Sequence, residues 1–240
     1  MVASHRYPEI DLLRTMAILG MIVYHSAFDL AFFHGVDLNV FSGGWWMLAR
    51  SVAIIFLILV GISFAISWER TPQYKKYARR GAVILACAML ITIVTYVLDP
   101  TTYIRFGILH LIGIATLLLP LFARFKSFAF VPGLLLMFAG QWMQSIHPET
   151  SLLIPLGMYP ASFTSLDYFP LVPWFGVILI GVSFGNVLYI KNLSWRATVP
   201  FDRLPRIFSW PGRHALWIYM IHQPLILALL ALGSSLFHKV

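Results

Sequence analysis

The sequence predicts an all-α membrane protein, a bundle of about seven transmembrane helices. Of its 240 residues, 60% are hydrophobic and only 11% are charged, and the mean hydropathy is +0.82. A soluble domain carries about 25% charged residues, so this chain has too little polar surface to cover a water-soluble core. Its lysines and arginines stand in short clusters between apolar runs. These observations exclude a soluble enzyme, a disordered chain and a conventional nucleic-acid-binding protein, although the net charge of +8 alone would suggest the last.

Each predicted span is a mostly apolar stretch of about 20 residues, the length that crosses a bilayer as a helix. The seven stretches are 10–33, 45–67, 77–98, 106–123, 127–146, 168–190 and 215–237. No soluble segment interrupts them, which predicts one integral-membrane domain over residues 1–240. The single cysteine, Cys87, gives neither a disulfide framework nor a cysteine-based metal site.

The basic residues predict the orientation of these spans. Of the 17 lysines and arginines, 14 lie near the N-terminus or in the loops after the second, fourth and sixth spans. The other three are Arg50, Arg105 and Lys239. Because cytoplasmic loops are enriched in lysine and arginine, the N-terminus is predicted in the cytoplasm and the C-terminus outside. The predicted location is the cell membrane, with multiple passes.

The first span carries four ionisable residues, which are functional candidates because charges inside a membrane are unfavourable. At 100° per residue, Asp11, Arg14, His25 and Asp29 share one face of the helix, with Arg14 and His25 about 16 Å apart along the axis. One interpretation is a reaction channel. Arg14 meets an anion from the cytoplasm, and His25 acts as a base whose ring Asp29 orients. The other interpretation is structural, with polar side chains that hold the first helix in the bundle.

Further polar residues lie at the predicted outer side or at mid-membrane. They are Arg105 and His110 near the start of the fourth span, Asp167 before the sixth, and His222 within the seventh. The sequence has no Gly-rich phosphate loop and no H-E-x-x-H or C-x-x-C spacing. No two of the membrane or outer histidines share a span at i, i+4 spacing, so no metal is expected.

Five segments are similar, in the same order, to those of integral-membrane acyltransferases. They are 10–18 with 24–29, 56–63, 105–110, 166–174 and 219–224. Over nearly its whole length the chain best resembles the heparan-α-glucosaminide N-acetyltransferase catalytic-domain family in its compact prokaryotic form. Thr15 stands where the family usually has glycine after the arginine. Near Val40, where lysosomal members place an essential histidine, the chain has none. Catalysis is therefore assigned to His25, whose spacing from Arg14 is similar to that of type-three sugar O-acyltransferases.

The resemblance implies transfer of an acyl group, usually acetyl, from cytoplasmic acyl-CoA to an extracytoplasmic sugar or glycolipid. Membrane lipid is then a partner and nucleic acid is not, and a homo-oligomer is left open. The resemblance assigns catalysis to His25 and Asp29. It assigns CoA binding to basic residues at the cytoplasmic mouth, namely Arg14, Arg79, Arg80 and Arg124. It assigns acceptor binding to Arg105, His110, Asp167, Trp174 and His222. His25 either deprotonates the acceptor or takes the acyl group itself.

Two other classes of function fit the same residues. A proton-coupled transporter would use His25, Asp29, His110 and His222 as a relay, although the sequence shows no inverted repeat. A non-catalytic assembly protein would use them only for packing.

Overall fold

The protein is helical throughout the residues that the structure describes. A computed structural model describes residues 7–191 and 206–237. No strand forms in these ranges, although one isolated bridge joins Phe106 and Tyr168. The α-helices are α1 Pro8–His34, α2 Gly43–Arg70, α3 Tyr74–Leu98, α4 Ile108–Phe122, α5 Phe130–Met143, α6 Leu171–Gly185, α7 Arg206–Arg213 and α8 Ala215–Phe237. Shorter segments are the 3-10 helices Ala123–Ala129 and Ser151–Leu156 and the π-helix Asn186–Lys191.

Six helical segments of the described chain are long and apolar enough to cross a membrane, against the seven that the sequence predicts. The difference arises in the 36-residue segment Ile108–Met143, which contains the predicted spans 106–123 and 127–146. It comprises α4 and α5, of 15 and 14 residues, each shorter than the roughly 20 residues of a full span. The number of membrane crossings and the orientation of the termini stay predictions. The predicted cytoplasmic loop after α6 falls, beyond Lys191, outside the described residues, and so does the end of the chain with Lys239.

The segment Ile108–Met143 is folded as a hairpin around α6. The backbone leaves the helical conformation at Lys126, where φ is 46° and ψ is −120°. The carboxylate of Asp167, just before α6, caps the N-terminus of α4 by accepting a hydrogen bond from the Ile108 amide. Gly140, near the end of α5, packs on Pro173 in the first turn of α6. Both open ends of the hairpin therefore lie beside the start of α6, and its turn lies further along α6.

This hairpin gives a topology prediction. A green fluorescent protein inserted after Lys126 should fluoresce, because the turn carries Arg124 and Lys126 and is predicted to face the cytoplasm. Alkaline phosphatase fused to Val240 should be active, because the C-terminus is predicted outside. Fluorescence of a C-terminal fusion, together with an inactive phosphatase there, would show that the number of crossings is even.

The chain separates into two compact units. The first comprises Met1–Phe56 and Arg196–Val240, which hold α1, the first half of α2, α7 and α8. The second is Leu57–Trp195, which holds the second half of α2 and α3 to α6. A single-domain organisation over 1–240 stays a prediction.

In the first unit, α1 packs against α7 and α8. Pro8 begins α1, where its fixed φ suits the first turn, and Gly35 ends the helix in the left-handed conformation with φ 65°. Thr15 ties α1 to α7, since its hydroxyl accepts a hydrogen bond from the Gly212 amide at 3.0 Å and donates to the Asp11 carbonyl at 3.0 Å. Thr15 thus holds two helices together.

In the second unit, the helices approach each other at small residues, as is common in membrane bundles. The Gly61 Cα of α2 faces the backbone of α6 so closely that an added Cβ would lie 2.0 Å from the Ile178 carbonyl oxygen. Similar close approaches join α3 to α4 and α5 to α6. The fully buried large side chains of this unit are Leu57, Leu111, Leu119, Ile178, Leu179 and Val182.

Candidate functional site

The ionisable residues of α1 face α7 and α8 within the first unit. Asp11 contacts Arg213 of α7, and both His25 and Asp29 contact side chains of α8. Because α1 is one uninterrupted helix from its first turn to its last, the helical period brings these residues onto one side. The common face that the sequence predicts is confirmed.

Two histidines meet at the α1–α8 contact. The rings of His25 and His222 are 4.9 Å apart between centroids, with an interplanar angle of 73°. Nδ1 of His25 lies 2.9 Å from the Met21 carbonyl oxygen, and Nδ1 of His222 lies 2.7 Å from that of Tyr219. A carbonyl only accepts, so each Nδ1 carries a hydrogen and each neutral ring keeps its lone pair on Nε2. The pair therefore offers two basic nitrogens.

Two hydrogen-bond acceptor atoms at this contact are buried and have no partner in the described residues. His222 is 7% exposed, and its Nε2 has no hydrogen-bond partner in the described residues. The side-chain oxygen Oε1 of Gln223 is likewise buried without a partner. Together with Nε2 of His25, which makes no hydrogen bond within the described chain, these atoms form a site of three acceptors. Such a site suits a ligand group that donates hydrogen, a hydroxyl or an amine, because an unsatisfied buried acceptor is costly.

Asp29 does not orient His25, contrary to the sequence-based prediction. Asp29 is fully buried and accepts hydrogen bonds from Gln223 Nε2 at 2.8 Å to Oδ1 and 3.0 Å to Oδ2. The Met21 carbonyl, one turn before His25 on the same helix, takes the Nδ1 hydrogen instead. Gln223 is not among the residues predicted from the sequence, although it follows His222 directly. The carboxylate of Asp29 thus holds the amide whose oxygen completes the acceptor site.

At the predicted cytoplasmic end of α1, two arginines share one carboxylate. Asp11 Oδ1 lies 3.0 Å from Arg14 Nη1, and Asp11 Oδ2 lies 3.4 Å from Arg213 Nε. The side chains of Arg14 and Arg213 are 21% and 29% exposed, so both guanidinium groups keep access to solvent. This trio carries one excess positive charge, and guanidinium groups bind anions through charge-assisted hydrogen bonds. From the sequence, Arg213 is only one of the basic residues that predict the orientation of the spans.

The other predicted CoA-binding arginines belong to the second unit. Arg79 and Arg80 are exposed in the early turns of α3. Arg124 lines a cavity of about 510 Å³ where α2, α4 and α6 end, together with Lys126, Glu69 and Trp68. A cavity of this size fits a small-molecule moiety.

His110 is held at both ring nitrogens inside the second unit. Its Nδ1 accepts from the Gly107 amide at 3.2 Å. Its Nε2 lies 3.3 Å from the Thr92 hydroxyl, which itself donates to the Ile104 carbonyl at 2.7 Å. Since that hydroxyl hydrogen is already used, Nε2 carries the hydrogen and donates. Neither ring nitrogen is free to bind substrate, and the two hydrogen bonds stabilise the start of α4.

Asp167 and Trp174 lie near the start of α6. Asp167 Oδ2 accepts from the Ile108 amide at 2.9 Å and so caps α4. The ring of Trp174 packs on Phe169 with centroids 4.8 Å apart. Both contacts lie within the second unit, and acceptor binding by these residues stays a prediction.

The described residues contain no group of three or more His, Cys, Asp or Glu side chains placed to hold a metal ion. The chemistry of the His25 site is that of imidazole nitrogens, an amide and a carboxylate.

Comparison with known proteins finds one family. The family model described as "Heparan-alpha-glucosaminide N-acetyltransferase, catalytic" matches residues 6–224, nearly the whole chain and all of the segments on which the resemblance rests. No curated protein and no solved structure gives a significant match.

Proposed function

Because the chain belongs to the family of heparan-α-glucosaminide N-acetyltransferase catalytic domains, we propose that it is an acyl-CoA-dependent membrane acetyltransferase. It moves an acetyl group from cytoplasmic acetyl-CoA to an extracytoplasmic sugar or glycolipid. The observation that carries this proposal is the pair of Nε2 lone pairs on His25 and His222, which meet where the polar face of α1 contacts α8.

The donor end is the trio of Asp11, Arg14 and Arg213. CoA carries phosphates, and charge-assisted hydrogen bonds from arginine are the interactions that phosphates favour. Arg14 precedes His25 by three helical turns, about 16 Å, so one extended arm of the donor connects the two along α1. CoA binding by Arg79, Arg80 and Arg124, which belong to the second unit, stays a prediction.

His25 provides the proton transfer. Its Nε2 takes the hydrogen of the acceptor hydroxyl or amine while the acceptor oxygen or nitrogen attacks the thioester carbonyl. The carbon–sulfur bond breaks, its electron pair leaves on the CoA sulfur, and the proton held at Nε2 returns to that thiolate. The other route is attack by Nε2 on the thioester, which forms an acyl-histidine before transfer. In both routes His222 Nε2 and Gln223 Oε1 accept hydrogen bonds from the sugar or glycolipid that receives the acetyl group.

The proposal is tested with labelled acetyl-CoA added to membranes that contain the protein, followed by analysis of the acetylated envelope glycans. We expect label in a sugar-containing product that is absent from membranes of a deletion strain. A protein that moves protons or solutes across liposomes but transfers no label would contradict the proposal and favour the transporter.

Loss of the Arg14 charge should weaken CoA binding. In Arg14→Gln, the carboxylate of Asp11 keeps Arg213 as a partner but the trio loses its excess positive charge. We expect CoA affinity to fall about tenfold, since a hydrogen bond to a charged group contributes about 1.5–3 kcal/mol. Isothermal titration of the purified protein with CoA measures this affinity. The matched control is Arg50→Gln, an exposed arginine at the predicted outer side. Equal affinities of the two variants would exclude Arg14 as a phosphate ligand.

A further inference from the structure

Two outer segments of the second unit form a fixed platform around Arg105. The Leu166 amide donates to the Thr102 carbonyl at 2.8 Å. The Ser165 hydroxyl accepts from the Arg105 amide at 3.4 Å and donates to the Tyr103 carbonyl at 3.1 Å. These hydrogen bonds hold the backbone on both sides of Arg105.

The guanidinium of Arg105 lies between two aromatic rings. Its Cζ is 4.9 Å from the ring centroid of Tyr103 and 5.4 Å from that of Phe163. Cation–π contacts of this kind use none of the N–H groups of a guanidinium as hydrogen-bond donors. The burial of Nε fits this arrangement, since Nε has no hydrogen-bond partner in the described residues.

Arg105 has no ion-pair partner within the described chain. The acidic residues closest to Arg105 in the sequence and in the platform, Asp99 and Asp167, form hydrogen bonds with other groups. Asp167 caps the Ile108 amide. Asp99 accepts hydrogen bonds from both Thr101 and Thr102, which hold the pKa of Asp99 at about 2. The positive charge of Arg105 therefore lacks a counter-ion among the residues that the structure describes.

We propose that Arg105, clamped between Tyr103 and Phe163, is an oxyanion-binding site that takes a carboxylate or phosphate group. Planar guanidinium edges bind such groups in a bidentate manner, and a side chain that is already immobilised loses little entropy when it binds. Resting on the proposed function, the group belongs to an acidic sugar acceptor at the predicted outer side of the membrane. A lipid headgroup offers the same chemistry.

The test measures binding without acetyl-CoA. Purified protein in neutral detergent is unfolded thermally with glucuronate or with glucose, a sugar pair that differs in one carboxylate. In nanodiscs the same protein is compared in phosphatidylglycerol and in phosphatidylcholine. We expect stabilisation by glucuronate and not by glucose, with affinity at least tenfold weaker in Arg105→Gln. Arg105→Lys keeps the charge but not the bidentate edge and should be intermediate, while Arg50→Gln should match the unsubstituted protein.

The outcomes separate the two sources and the two proposals. Stabilisation by glucuronate that depends on Arg105 assigns the site to an acidic acceptor, and stabilisation only by phosphatidylglycerol assigns it to lipid. No stabilisation by either anion, or equal stabilisation in Arg105→Gln, overturns the site. Anion binding that depends on Arg105 in a protein without acetyltransferase activity would leave the site standing and refute the proposed function.

Discussion

Replacement of His25 by alanine should reduce acetyl transfer about 10²–10⁴-fold, the loss typical of removing a general base. The variant removes the Nε2 lone pair that the Met21 carbonyl leaves free by holding Nδ1. Folding and CoA binding should persist, since the donor trio at Asp11 makes no contact with this ring. The measurement is transfer from labelled acetyl-CoA in membranes, with the variants matched for expression.

The matched controls for His25 are two exposed histidines. His34 ends α1, and the His147 ring contacts the side chain and the carbonyl of Tyr159. His34→Ala and His147→Ala should keep most of the activity. An active His25→Ala protein, or loss of activity only in His34→Ala, would transfer the chemistry to the predicted outer loop.

Asp29→Asn should lie between the unsubstituted protein and His25→Ala. The physical reason for this intermediate activity is that Asp29 accepts hydrogen bonds from Gln223 and does not orient the His25 ring. An asparagine side chain keeps the packing but removes one of the two acceptor oxygens that fix the Gln223 amide. A similar activity in Asp29→Asn and Gln223→Leu would support this positioning role.

The sequence predicted the polar face of α1 because that prediction needs only the helical period. It did not predict the partners of that face, since Gln223 and Arg213 lie about 200 residues further along the chain. The sequence also did not predict that the Met21 carbonyl, and not Asp29, takes the Nδ1 hydrogen of His25. Every residue has a backbone carbonyl, so residue type gives no signal for such a contact. Contacts across such separations depend on how helices pack, which periodicity does not encode.

Hydropathy also predicted where the apolar segments lie, but not how the fourth and fifth are joined. Both α4 and α5 are shorter than a full span, and the chain reverses at Lys126, a residue that favours no turn. Similarly, His110 and Asp167 have the residue types of a binding site. Their hydrogen bonds to Gly107 and Ile108 at the start of α4 are contacts that residue type does not predict.

The contact of α2 with α6 depends on two glycines that lie against the facing backbone. A Cβ at Gly61 would lie 2.0 Å from the Ile178 carbonyl oxygen and 2.6 Å from the Val182 amide nitrogen. A Cβ at Gly181 would lie 2.3 Å from the Ile58 carbonyl oxygen. Backbone atoms of a helix cannot rotate away as a side chain does, so the two helices must separate to admit the methyl group.

Gly61→Ala should therefore destabilise the protein severely, by more than the 1–3 kcal/mol that overpacking usually costs. In a membrane no hydrophobic driving force restores the contact, since lipid tails fill the gap between separated helices equally well. The measurement is the temperature at which the purified protein loses its monodisperse peak in size-exclusion chromatography, together with the folded yield. Gly181→Ala should behave in the same way. Gly44→Ala, where nothing lies within 4 Å of the added Cβ, should match the unsubstituted protein. A Gly61→Ala protein as stable as Gly44→Ala would show that α2 and α6 do not pack at this distance.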